Sequence, residues 1–198
     1  MSERNAMGNV KVLVFAGSTR KDSFNKKLAK NAAEMARAAG AEVTYLDLRD
    51  IPMPMYDGDL EASEGIPPNG RRLKDLMLAH DAFLIASPEY NSSISAVLKN
   101  AIDWASRPAP NEKPLECFTG KIIGLCSASP GALGGLRGLV TVRSILTHVG
   151  SIVIPTQVAV AHANEAFDES DHLQDAKFNA AMQKMVTQLV SMTTKLKS

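Results

Sequence analysis

Ser18, Thr19, Arg20, Ser23 and Asn25 crowd three hydroxyls, one amide and one guanidinium into the short stretch GSTRKDSFN that starts at Gly17. Such a set around a tight turn suits an anion with several oxygens, and a phosphate monoester can be met there without a metal or a lysine. The spacing is neither GxGxxG nor GxxxxGK[ST], which argues against a dinucleotide fingerprint and against a P-loop. The same residues also fit a plainer role, in which Ser23 caps a helix and Arg20 is a solvated turn residue. A second stretch, Pro88, Glu89, Tyr90 and Asn91, offers a stiff backbone, a flat ring face and two polar groups able to meet the edge of a heterocycle. A third, Ser127 to Gly131, offers backbone N–H groups with little side-chain bulk, so a flat ring could approach the main chain closely. Each stretch alone also reads as an ordinary surface turn. Together they fit a phosphorylated, tricyclic ligand.

The elements that must position these residues follow from periodicity. Val10 to Ala16 is a nearly continuous apolar run rich in β-branched residues, the pattern of a parallel strand covered on both faces. From Asn25 onward Leu28, Ala29, Ala32, Ala33 and Ala36 recur at helical spacing, and Gly40 suits the helix stop. The N–H groups and dipole of that helix would face the first turn, where they favour an anion. Strands are expected at 43–48, 82–87 and 121–127, with an interrupted fifth strand at 151–155 and 158–160. Helices are expected at 71–79, 95–106, 136–149 and 171–196. Residues 51–70, with four prolines and three glycines, read as a loop. Strand and helix alternate five times, which specifies an open parallel sheet with right-handed crossovers. Ligands in such sheets sit beyond the carboxyl ends of the strands, so the turns after strands one, three and four are expected to converge.

Composition narrows the function classes. With 198 residues a single domain is expected over 9–198, residues 1–8 (MSERNAMG) reading as a tag-like or disordered start without the apolar core of a signal peptide. A net charge of +1 with no long charged run gives no argument for nucleic acid or a membrane surface, and no window is long and apolar enough for a membrane span. Cys117 and Cys126 lie nine positions apart without CxxC or flanking His, so neither a zinc site nor a disulfide is expected, and free thiols fit a soluble cytoplasmic protein. His80, His148, His162 and His172 are scattered; no catalytic side chain and no metal site is expected.

GSTRKDSFNKKLA at 17–29 and SPEYNSSISAVLKNAIDWASRP at 87–108 resemble the NADPH-dependent FMN reductase family, which has the flavodoxin-like fold and includes quinone, azo-dye and chromate reductases. The resemblance implies a three-layer α/β sandwich with strand order 2-1-3-4-5 and noncovalent FMN. It places Ser18, Arg20, Ser23, Phe24 and Asn25 at the phosphate, Pro88, Glu89, Tyr90 and Asn91 at the isoalloxazine loop, and Ser127 and Ser129 towards its far edge. It further implies hydride transfer from NADPH, or NADH, through FMN to a quinone, azo compound, free flavin or metal oxyanion in a ping-pong cycle. A flavodoxin-type electron carrier and a non-catalytic flavin-binding module are the alternatives. Many relatives carry Gly where this chain has Ser92 and Pro-Gly where it has Ser95-Ala96, positions expected to enter the following helix. A homodimer or homotetramer is expected, on the strength of the 51–56 loop and the apolar side of the 95–106 helix.

Overall fold

The structure, a computed structural model, describes residues 9–197; the expectation for 1–8 lies outside the described residues. β1 (Lys11–Ala16) is followed by α1 (Phe24–Ala38), β2 (Glu42–Leu46), α2 (Gly58–Glu64), α3 (Pro68–Ala79) and β3 (Ala82–Ala86). Then come β4 (Glu89–Tyr90), β5 (Ser93–Ile94), α4 (Ala96–Ala105), β6 (Ile122–Ala128), α5 (Leu136–His148), β7 (Ile152–Val160) and α6 (Ala176–Lys197). Five strands form one parallel sheet in the order β2-β1-β3-β6-β7, the expected flavodoxin-like order, with β4 and β5 set apart as a short antiparallel hairpin.

Strand alternation sorts the core into two layers. Val12, Val14, Leu84 and Cys126 face α1 and α6, where Leu28, Ala32, Met185 and Leu189 are buried. Leu13, Phe15, Phe83, Ile85 and Leu125 face α3, α4 and α5, where Leu73, Leu98, Ile102, Leu139 and Val142 are buried. Small residues on α1 (Ala29, Ala32, Ala33, Ala36) let that helix lie close on the sheet. The two layers pin the register: Ala16 pairs with Ala86, and Ala86 pairs with Cys126. β1 and β3 therefore end at one level, and β6 runs two residues further, to Ala128. The chain leaves that level through Gly17, whose N–H donates to Ala86 O (2.9 Å), and through Ser87, whose N–H donates to Cys126 O (2.8 Å).

Four local expectations need correction. The 51–70 stretch is not all loop: Asp57 accepts from the Asp59 N–H (2.8 Å) and starts α2, Gly65 ends it at φ 76°, and Pro68 opens α3 at a position that needs no N–H donor. The fifth strand runs unbroken from Ile152 to Val160, because Pro155 falls where β7 gains residues against β6, between the pairs Ile123–Val153 and Leu125–Gln157, on an outer strand that needs no second ladder. The last helix begins at Ala176 rather than Asp171. Leu173, whose apolar character extended the helical pattern, instead bridges to Phe167 and donates its N–H to Asn31 Oδ1 (2.9 Å). Finally, Ser92 lies outside the following helix, in the turn of the β4–β5 hairpin.

Candidate functional site

At the common rim the first turn is shaped by contact as much as by sequence. A Cβ on Gly17 would lie 2.8 Å from Leu98 Cβ and 3.2 Å from Pro88 Cδ, so only glycine lets the start of α4 approach so closely. Ser95 secures the approach: its hydroxyl donates to Gly17 O (2.5 Å) and accepts from the Leu98 N–H (3.2 Å), capping α4.

Beyond this junction lies a cleft of about 250 Å³. The first turn contributes Ser18, Arg20, Ser23, Phe24 and Asn25; the third strand's turn contributes Pro88, Glu89 and Tyr90; the turn after β6 contributes Ala128, Ser129 and Pro130. Nine of the eleven residues singled out in the sequence thus line one cavity. Asn91 and Ser127 do not.

Ser23 stands at the N-cap of α1, where its carbonyl accepts from the Lys26 and Lys27 N–H groups (3.0 and 3.1 Å), but its side chain makes no capping bond. Its hydroxyl remains available on the cleft wall, beside the helix's first N–H groups, which have no intrahelical acceptor. Ser18 Oγ accepts from the Arg20 N–H (3.2 Å) and tightens the turn. The exposed Arg20 guanidinium has no carboxylate partner among the described residues. Phe24 stacks on Phe167 with ring centroids 6.2 Å apart and planes 12° apart, forming a fixed apolar wall.

Asn25 is placed differently from expectation. Its Nδ2 donates to Ala128 O (2.9 Å) and its Oδ1 accepts from the Ala128 N–H (3.0 Å), so the buried amide occupies both backbone groups of Ala128 and joins the first turn to the end of β6. It braces the cleft, and one N–H of its amide is left for the cavity it lines. Ser127, fully buried, donates to Gly134 O (2.6 Å) and holds the glycine turn; Gly135, at φ 91°, would bring a Cβ within 2.8 Å of that hydroxyl.

Glu89 lines the cavity with its carboxylate already engaged. Its carboxylate accepts from Arg137 Nε (3.0 Å) and the Gly138 N–H (3.0 Å) at the start of α5. Burial opposes its ionisation, but the Gly138 N–H and the Arg137 guanidinium outweigh that and hold the carboxyl below its ordinary value. The one carboxylate on the cleft wall is thereby neutralised within the protein, leaving Arg20 to set the sign of the cavity. Next to Glu89, Asn91 (φ 51°) and Ser92 (φ 62°) both lie in the left-handed region while Tyr90 pairs with Ser93. This two-residue turn is of the type I′ kind that matches strand twist. It directs Asn91 to solvent and leaves Tyr90, 51% exposed, on the cleft edge with its ring face available.

Ala128 and Pro130 belong to the 127–131 turn that the sequence marks for its backbone, not for those side chains; Arg137 and Gly138 carry no local signal, since their role depends on Glu89, 48 and 49 positions away. A phosphorylated flat cofactor fits what is present: open donors and an unpaired cation at one end, an aromatic face and a slim backbone turn at the other. Among the described residues no cluster of three His, Cys, Asp or Glu could hold a metal, and no helix is long and apolar enough to cross a membrane.

Residues 10–165 match the family model described as NADPH-dependent FMN reductase. The NAD(P)H-dependent FMN reductase of Pseudomonas aeruginosa is 35% identical over 182 residues, spanning 91% of this chain and 94% of the relative. A quinone reductase of Pseudomonas putida strain KT2440 is 35% identical over 165 residues, spanning 83% of this chain and 84% of the relative. Among solved structures, FerB, the flavoenzyme NAD(P)H:(acceptor) oxidoreductase of Paracoccus denitrificans, superposes with a TM-score of 0.80 at 32% identity, covering 94% of this chain and 98% of its own.

Proposed function

Since the chain belongs to the NADPH-dependent FMN reductase family, we propose that its rim cleft binds FMN and that the protein passes reducing equivalents from NAD(P)H to a small acceptor, a quinone being the acceptor class we favour. The observation that carries this reading is the meeting of the three chemically distinctive turns in one cavity whose unpaired charge is Arg20. When bound, FMN supplies the hydride chemistry, accepting from the nicotinamide and giving to the acceptor in turn.

The protein's part is placement and electrostatics. Ser18, Ser23, the first N–H groups of α1 and Arg20 hold the phosphate; Phe24 walls its approach. Tyr90 presents a face to the ring system, and Ser129 and Pro130 border its far side. Pro88 stiffens the loop that carries Tyr90. Glu89 and Asn25 act through the backbone: one fastens the hairpin to α5, the other fastens the first turn to β6. No side-chain nucleophile or metal is needed.

A flavodoxin-type carrier is the rival reading. Fluorescence titration with FMN, followed by steady-state oxidation of NADPH with a quinone, separates the two. Turnover without a protein partner excludes the carrier; FMN binding without turnover excludes the enzyme. Arg20→Ala should weaken FMN binding about tenfold to a hundredfold, as expected for one charge-assisted hydrogen bond.

A homodimer or homotetramer is part of the same proposal, although the surface differs from the expected one. The apolar side of α4 packs inward, with Leu98, Ile102 and Trp104 buried. Leu133, in the turn before α5, and Leu136 and Val140 on it are instead exposed at 50%, 46% and 64%, and Met55 of the 51–56 loop is exposed too. A cytoplasmic setting is supported by two free, buried cysteines.

A further inference from the structure

A second cavity, of about 320 Å³, opens on the other side of the first turn. Thr19 lines it, whereas the neighbouring Ser18 and Arg20 line the cleft described above, so the two cavities share that turn as a common wall. Its lining is largely apolar: Leu48, Ile51, Pro52 and Met53 from the segment after β2, and Val97 from α4. That wall is held in place. Asn69 Nδ2 donates to Pro52 O (2.8 Å), Asn100 Nδ2 and Trp104 Nε1 donate to Pro54 O (2.9 and 2.8 Å), and Asn100 Oδ1 accepts from the Tyr56 N–H (2.8 Å).

One cation belongs to this cavity. Arg49 sits in the single helical turn Leu48–Asp50, with its backbone N–H held by Asp47 Oδ1 (2.9 Å). Its exposed guanidinium has no partner among the described residues. The Asp47 carboxylate that holds its backbone also pairs with Lys26 Nζ at 2.7 Å. Asp50 follows Arg49 but is not part of the lining. An unpaired guanidinium beside a rigid apolar wall is suited to a flat ring that carries a phosphate on a short arm.

Resting on the reading that FMN occupies the first cleft, we propose that this second cavity takes the adenosine end of NADPH, with Arg49 meeting the 2′-phosphate. A nicotinamide lying over a flavin ring has its adenosine half free, and the shared turn is where that half can find a second wall. Arg49 is then the residue that separates NADPH from NADH. It contacts the part of the cosubstrate remote from the chemistry, so its effect falls on binding.

The test has two readouts. Calorimetric titration with adenosine 2′,5′-bisphosphate and with 5′-AMP should show a preference for the bisphosphate in the unaltered protein. Arg49→Ala should remove that preference and Arg49→Lys retain part of it. In steady state with a quinone, Arg49→Ala should raise KM for NADPH on the order of tenfold to a hundredfold and leave KM for NADH unchanged. Equal effects on both cosubstrates, no effect on either, or no bisphosphate preference in the unaltered protein overturns the proposal. The proposed function fails separately, if FMN does not bind or neither nicotinamide supports turnover, because the nucleotide titration needs neither FMN nor activity.

Discussion

Asn25→Ala gives the sharpest check on how the cleft is built. The substitution deletes hydrogen bonds of 2.9 and 3.0 Å and leaves the N–H and C=O of Ala128, a residue 4% exposed, without partners. Each bond contributes about 0.5–1.5 kcal/mol net, and orphaning buried backbone groups adds to the loss, so about 2–4 kcal/mol of stability should disappear. For a chain of this length each kcal/mol corresponds to about 2–4 °C, which puts the drop in Tm at roughly 5–15 °C. Asn25→Asp keeps an acceptor for the Ala128 N–H but sets an oxygen against the Ala128 carbonyl, so it should lose a comparable amount. The assay is thermal and urea unfolding of the FMN-free protein. If Asn25→Ala leaves that stability within about 0.5 kcal/mol of the parent, the ordinary spread for a surface change, and instead weakens FMN binding alone, the amide serves the phosphate and the reasoning is wrong.

Gly17→Ala drives a methyl group into Leu98 and Pro88 and should cost about 1–3 kcal/mol, while loosening FMN through displacement of the first turn; unfolding and FMN titration read the two effects. Ser92→Gly should stabilise by about 0.5 kcal/mol, because a left-handed residue costs L side chains about 1 kcal/mol and glycine's greater unfolded-state freedom offsets part of the gain; the readout is Tm. The Glu89 carboxyl, held below its ordinary value in the fold, contributes stability that is complete above the unfolded-state value and disappears as pH falls through the folded one. Glu89→Gln should therefore flatten the acid side of a Tm-against-pH curve; an unchanged curve would detach Glu89 from the stability of the α5 junction.

What was legible in the sequence is what short-range pattern encodes. The apolar runs at 10–16, 82–87 and 121–127 gave strands buried on both faces, and alternation with helices gave an open parallel sheet and hence the rim on which the turns meet; the strand order came only with the family resemblance. The chemistry-bearing turns could be found because glycine, hydroxyls and proline mark them locally. Side-chain direction was not legible. Glu89, Asn25 and Ser127 look like ligand groups by type, yet each bonds to protein: Arg137 and Gly138, Ala128, and Gly134 respectively. Two of these three partnerships span at least 48 positions, and nothing in the local sequence distinguishes a polar side chain that meets a ligand from one that closes a junction. The α2 helix escaped notice because Asp57 and Gly58, which begin it, are also turn residues. The extended reading of α6 reflects a leucine that is buried by a bridge rather than by a helix face.

The central claim is that one rim cleft seats FMN with its phosphate at the first turn. The most direct measurement is a crystal structure of the protein grown with FMN. The phosphate should lie within hydrogen-bond reach of Ser18, Ser23 and the first N–H groups of α1, with Arg20 beside it and the ring system against Tyr90 and Ser129. A phosphate seated away from the first turn, or a ring system bound outside the cleft, would contradict the account.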